Sequence, residues 1–248
     1  MRCRLLILFA VAVALMLGGC RNAPEEERGD LHRDVQRVDD DNEAERTAMR
    51  AKLRAILVGD ADNPPDVDPH MRAGAAQGLG DLHDPEDTDL LLDVLMGPLA
   101  DEGVLVRVEC AIALGKLRYP GRMDPHRQEV VLRLRSRVAF DRDDAGQPEE
   151  TEYLVRSAMV NSLIAIGGRD SAAALHDVAS RLYSDLEDST GALYTNATDR
   201  GLLDRCLEGM AELTGVPESE AAQNRFETDD LSKHLDWWTG RIAEMPEN

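Results

Sequence analysis

GVLVRVECAIALGKL, residues 103–117, is one of three related stretches in this chain. The other two are DPHMRAGAAQGLGDL (68–82) and TEYLVRSAMVNSLIAI (151–166), and all three superpose on an arginine: Arg107, Arg72 and Arg156. Each arginine has a leucine seven residues later (Leu79, Leu114, Leu163) and an apolar residue ten later (Leu82, Leu117, Ile166). Small residues fill the turn between them: Ala75 and Ala76, Cys110 and Ala111, and Ala158. Steps of three, seven and ten share one face of an α-helix, so each stretch predicts a helix with one apolar side. The small residues on that side let a neighbouring helix approach closely.

A second amphipathic pattern follows each first one. In HDPEDTDLLLDVLMG (83–97), Asp84 is placed to cap a helix, Pro85 opens it and acids fill its first turn. MDPHRQEVVLRLRSRV (123–138) repeats that start with Asp124 and Pro125. In GGRDSAAALHDVASRLYSDL (167–186), two glycines end one helix before the next begins. A fourth, degenerate unit reads LLDRCLEGMAELTG (202–215) then DDLSKHLDWWTGRI (229–242), and EAERTAMRAKLRAILV (43–58) supplies an N-terminal half-unit. No helix pair of this kind buries its apolar stripe alone, so the pattern predicts an all-α solenoid of stacked antiparallel pairs over residues 43–245.

Arg72 and Arg107 are 35 residues apart, and Arg107 and Arg156 are 49 apart, which brackets the period of about 40–47 residues seen in HEAT and armadillo arrays. The succession of an arginine helix, an Asp-Pro turn and a leucine-rich helix resembles the HEAT repeats of the short bacterial type, most clearly over residues 68–186. That resemblance implies that Arg72, Arg107 and Arg156 are structural, interacting across repeats with Asp84 and Asp124, the aspartates before proline. It also implies that the second helices (84–96, 124–138 and 171–186) line the inner face. Trp237 and Trp238, after LTG at 213–215, resemble the ending of many such bacterial repeat proteins. They are expected to cap the last apolar face, or else to form an aromatic docking site.

The chain begins differently. Arg2 and Arg4 precede an apolar run of 13 residues, Leu5 to Leu17, then Gly18, Gly19 and Cys20. A membrane span needs about 20 apolar residues, whereas a basic start, a short apolar run and small residues make a secretory signal. LGGC resembles the lipobox of bacterial lipoproteins, which implies cleavage between Gly19 and Cys20 and lipidation of the Cys20 sulfur. More than one acyl chain makes such an anchor stable. Residues 1–19 are therefore expected to be a signal peptide. Residues 20–42, acidic and almost without apolar period, are expected to be a disordered tether with a short helix around 31–38. Arg21, where an aspartate resembles an inner-membrane retention signal, points to the outer membrane if the source is Gram-negative.

Composition narrows the partners. With 28 Lys and Arg against 48 Asp and Glu, a net charge of −20, the surface repels nucleic acid and anionic lipid. Membrane contact is then expected through the lipid alone, and any protein partner is expected to be a basic envelope protein or peptide. Asp141, Asp143, Gly146 and Glu152 partly match a calcium loop, but Ala145 removes one ligand and Pro148 interrupts the loop, so this is a weak metal candidate. The six histidines, His32, His70, His83, His126, His176 and His234, form no zinc spacing, and no nucleophile motif is present. No catalytic residue and no cofactor are expected. The sequence points to a lipid-anchored, non-catalytic scaffold or adaptor. The alternative is an accessory or lyase-like subunit with a small-ligand pocket between helices. Partner identity and oligomeric state stay open.

Overall fold

The computed structural model describes residues 25–39, 42–60, 64–97, 99–101, 103–138, 150, 152–188, 197–228 and 230–246. Among these, eleven α-helices and one 3-10 turn carry the fold, and no strand occurs. In chain order the helices are α1 (Glu25–Gln36), α2 (Glu43–Val58), α3 (Pro69–Asp81), α4 (Thr88–Met96), α5 (Val104–Lys116) and α6 (Pro125–Val138). Then come α7 (Tyr153–Ile166), α8 (Gly168–Asp188), α9 (Ala197–Thr214), α10 (Glu218–Thr228) and α11 (Leu231–Ala243). The protein is an all-α solenoid of antiparallel helix pairs. The arginine helices α3, α5, α7 and α9 stack in sequential order as one layer, with α2, α4, α6, α8 and α11 beside them. Each second helix packs closely on the first helix of the following unit: α2 on α3, α4 on α5, α6 on α7 and α8 on α9. The N-terminal half-unit is thus a full partner to α3.

The apolar positions read from the sequence form the core. Leu79, Leu114 and Leu163 are fully buried, as are Ala75, Ala76, Cys110 and Ala111. Close approach within the arginine layer depends on glycine eight residues after the arginine. A Cβ on Gly80 would stand 2.7 Å from the Ala113 Cα, and one on Gly115 would stand 3.0 Å from the Ser162 Cα. The third unit has Ile164 at this position, and its neighbour compensates: Gly209 sits where a Cβ would meet Ile164 at 2.6 Å. The Ser162 hydroxyl donates across the α5–α7 contact to the Ala111 carbonyl.

The helix starts follow the caps. Asp68 accepts from the His70 N–H at 2.8 Å, Asp84 from Glu86 at 3.0 Å, and Asp124 from Arg127 at 3.0 Å. Gly167 and Gly168, both at a φ of 74°, make the sharp α7–α8 junction that only glycine adopts cheaply.

The repeated arginines pair across units, but not with the aspartates before proline. An acid stands six residues before each arginine: Asp66, Asp101, Glu150 and Asp199 precede Arg72, Arg107, Arg156 and Arg205. Arg72 reaches forward to Asp101, Arg107 to Glu150, and Arg156 to Asp199 at 2.6 Å. The acid's other oxygen holds the chain entering its own helix: Asp101 accepts from the Gly103 N–H at 2.6 Å and Glu150 from Glu152 at 2.9 Å. One carboxylate thereby fixes both the helix start and the spacing to the preceding unit. Asp84 instead pairs with Arg50 of α2 at 2.7 Å, beside fully buried Asp87, which Arg50 and Arg54 share. A matching cluster at the α8 start joins Asp170 to Arg122 and Arg127.

The helix expected around residues 31–38 of the tether runs instead over Glu25–Gln36. Helix α1 packs on α3 through Leu31 and Val35, both buried. Gly74 and Gly78 make room for it: a Cβ on Gly78 would lie 3.1 Å from Val35. Two apolar residues four apart in an acidic stretch give a weak periodic signal, and only α3 makes them a docking face.

Candidate functional site

Helices α9, α10 and α11 close the C-terminal end around a pocket of about 420 Å³. Its apolar wall is Leu207 and Ala211 from α9, Ala221 and Ala222 from α10, and Trp238 from α11. Its polar wall is Arg200, Asp204 and Glu208 on one side, facing Glu218 and Arg225. An apolar concavity with a few converging polar groups is the usual form of a small-molecule site.

The floor is a fixed aromatic array. Trp238 is fully buried, and its indole N–H donates to the Nε2 of buried His234 at 3.0 Å. With Nε2 accepting, the ring proton lies on Nδ1, which donates to the Asn224 side-chain oxygen at 2.7 Å. Burial, and secondarily the Arg225 charge, push the His234 pKa down to about 4, so this ring is neutral at physiological pH. Both ring nitrogens are occupied, which makes His234 a positioning group that ties α10 to α11. Trp237 lies edge-on to Trp238 at 4.7 Å, half-buried, with the Arg241 guanidinium 5.1 Å over its ring. Trp238 is part of the core, and Trp237 is partly buried against it.

Helix α10 adds polar ties to the apolar contact of Ala221. It follows Gly215, at a φ of 70°, and is held by Asn224, by the Arg225–Asp204 pair at 3.3 Å and by an Arg241–Glu220 pair. Charges in the pocket are largely paired, since Arg205 takes Glu208 at 3.2 Å, but carboxylates outnumber guanidiniums along its wall.

The other residues singled out from sequence lie elsewhere. Gly19, Cys20, Asp141 and Asp143 are outside the described residues. Glu152 is exposed at the start of α7, and its side chain makes no cap hydrogen bond. Among the described residues, no three histidine, cysteine or carboxylate groups converge as a metal site, and no helix is long and apolar enough to cross a membrane. Cys110 and Cys206 are free, buried thiols on separate helices; burial pushes the Cys206 pKa up to about 12 and Cys110 higher still. Sequence reading missed His234 because its importance comes from Asn224, ten residues earlier on another helix.

No family model and no curated protein matches the sequence. Among solved structures, one match is human deoxyhypusine hydroxylase in complex with glycerol, at 16% identity and a TM-score of 0.24. It covers 87% of this chain and 85% of that one. At that score the likeness brings neither activity nor ligand to this chain. The comparisons lend no support to the expected lipid-anchored, non-catalytic scaffold or adaptor, and that role is withdrawn.

Proposed function

We propose that this protein binds a small amphipathic cation, an apolar body with an amine head, in the pocket between α9, α10 and α11. The observation that carries this reading is the division of that pocket into a wall of Leu207, Ala211 and Trp238 and a rim on which Asp204, Glu208 and Glu218 exceed Arg200 and Arg225. The apolar wall favours a ligand that gains from leaving water. The acidic rim, within a chain of net charge −20, favours a positive head and speeds its arrival. His234 keeps the floor rigid and neutral, which limits the reorganisation that binding requires.

Trp237 and Trp238 are the chain's two tryptophans, so their fluorescence reports on this end directly. Hexylamine is expected to shift the emission with saturation, and hexanoate at the same concentration to leave it unchanged. Ala211→Phe, which fills the pocket, should abolish the response while the melting curve stays cooperative. Asp204→Asn should weaken hexylamine about tenfold, equivalent to about 1.4 kcal/mol. Equal binding of hexanoate, or an unchanged response in Ala211→Phe, overturns the assignment.

For location, we propose export and attachment to a bacterial membrane through lipid on Cys20. The support is the sequence run of Arg2, Arg4, thirteen apolar residues and LGGC. Cys20→Ser should release the product from membranes or block its maturation; membrane retention at unchanged mobility would refute this.

A further inference from the structure

Three of the six histidines lie along one side of the opposite end of the molecule. His32 on α1, His70 at the start of α3 and His83 after it line two adjoining hollows of about 750 and 250 Å³ that share His32 and Gln77. Together the hollows form a trough along α1, α3 and α5.

His83 is the one non-glycine residue with a positive φ among the described residues, at 58°. That conformation costs a side-chain-bearing residue, and the third unit uses Gly167 at its corresponding helix end. What the histidine adds is a hydrogen bond from Nδ1 to the Lys116 carbonyl at 2.8 Å. The carbonyl can only accept, so Nδ1 carries a proton, and in the neutral ring Nε2 is an acceptor. On the same wall the Lys116 ammonium meets Asp81 at 2.7 Å. His32 is set by Gln36, whose amide lies 2.8 Å from its Nε2. Gln77 adds both a donor and an acceptor, and Glu109, whose carboxyl burial holds above the usual range, closes the smaller hollow.

These groups select by chemistry. An anion would face Asp39, Asp81 and Glu109; a cation would have to displace Lys116 from Asp81. Among the described residues, no phenylalanine, tyrosine or tryptophan lines either hollow. Donors (Gln77, Lys116) and acceptors (Gln77, Asp81, His83) both line the larger hollow, which suits a neutral molecule carrying several hydroxyls. We infer that the trough between α1, α3 and α5 is a second binding site, for a neutral polyhydroxylated ligand of saccharide type, with α1 as one of its walls. The ligand's hydroxyls donate to His83 Nε2 and Asp81 and accept from Gln77 and Lys116. Because α1 rests on α3 chiefly through Leu31 and Val35, a ligand bridging His32 to His83 holds α1 down.

Amide hydrogen exchange of the full mature chain tests this with maltose as the probe and inorganic phosphate and hexylamine as charged controls. Saturating maltose is expected to slow exchange at residues 31–35 about tenfold, leaving residues 231–243 unchanged. His83→Gly removes Nε2 but suits the backbone, and Gln77→Leu removes a hydroxyl partner; each should abolish the maltose effect measured against its own ligand-free rate. Uniform slowing along the whole chain, equal slowing in both variants, or protection by phosphate or hexylamine in place of maltose overturns the site. The readout is at α1, so it is independent of the tryptophan response that tests the C-terminal pocket.

Discussion

Replacing Arg107 by methionine tests the idea that the arginine–acid ladder sets the spacing of the repeats. The Glu150 side chain is 3% exposed and that of Arg107 is 17% exposed, so this pair is largely out of water. Removing one partner of a buried pair costs about 3–5 kcal/mol, because the other charge stays behind unpaired. Two features pull the cost toward the lower end. One Glu150 oxygen keeps the Glu152 N–H, and the Arg137 guanidinium lies close enough to feel the same carboxylate. A loss of about 3 kcal/mol corresponds to a drop of about 6–12 °C in a chain of this size. Adding Glu150→Gln to Arg107→Met removes the stranded charge but keeps an oxygen for the Glu152 N–H, and should recover about 2 kcal/mol. Lys52→Ala is the control: its pair with Asp34 is half-exposed, and such pairs are worth under about 1 kcal/mol. Urea melts followed by circular dichroism measure these three variants, and the Glu150→Gln single variant completes the double-mutant cycle. If Arg107→Met costs no more than Lys52→Ala, or if Glu150→Gln restores nothing, the ladder does not hold the units in place.

Glycine substitutions should separate packing from propensity. Gly80→Ala forces a methyl group into the Ala113 backbone and should cost about 1–3 kcal/mol despite the better helix former, while Gly240→Ala, which meets nothing within 4 Å, should gain about 0.5–1 kcal/mol. His234 has a folded pKa of about 4, below its unfolded value, so the unfolded chain binds the extra proton first. Stability should therefore fall by about 2–3 kcal/mol as pH drops from about 6.5 to 4, and His234→Asn should flatten that limb of a pH series of denaturant melts. Asp170 behaves in the opposite sense: hydrogen bonds and charge from Arg122 and Arg127 hold its pKa below the usual range. Its contribution is present above its unfolded pKa of about 4 and is lost as pH falls through the folded value, so Asp170→Asn should weaken the protein at neutral pH and flatten the acid limb. Cys110 and Cys206 should resist iodoacetamide in the native chain and react in urea, as mass spectrometry would show.

What could be read from the chain alone is what local periodicity and local chemistry specify. The face carrying Leu79, Leu114 and Leu163 follows from helix geometry. The starts at Pro69, Pro85 and Pro125 follow from a carboxylate placed to accept the first N–H groups. Stacking follows because no unit can bury its own stripe. Partner choice does not follow, since it depends on how far one helix slides along its neighbour; Gly80 and Gly115 set that by letting backbones touch, and Gly209 by receiving the Ile164 side chain. Asp84 and Asp124 stand in the more conspicuous motif, yet the slide brings Asp101, Glu150 and Asp199 to the arginines. An acid six residues before each arginine was visible but had no meaning until the next unit's position was known. The same holds for His32, His70 and His83, and for His234 with Asn224. Each is unremarkable within its own helix and acquires a neighbour only when separate helices are laid side by side, because hydrogen bonds and pockets depend on distances in space that sequence separation does not encode.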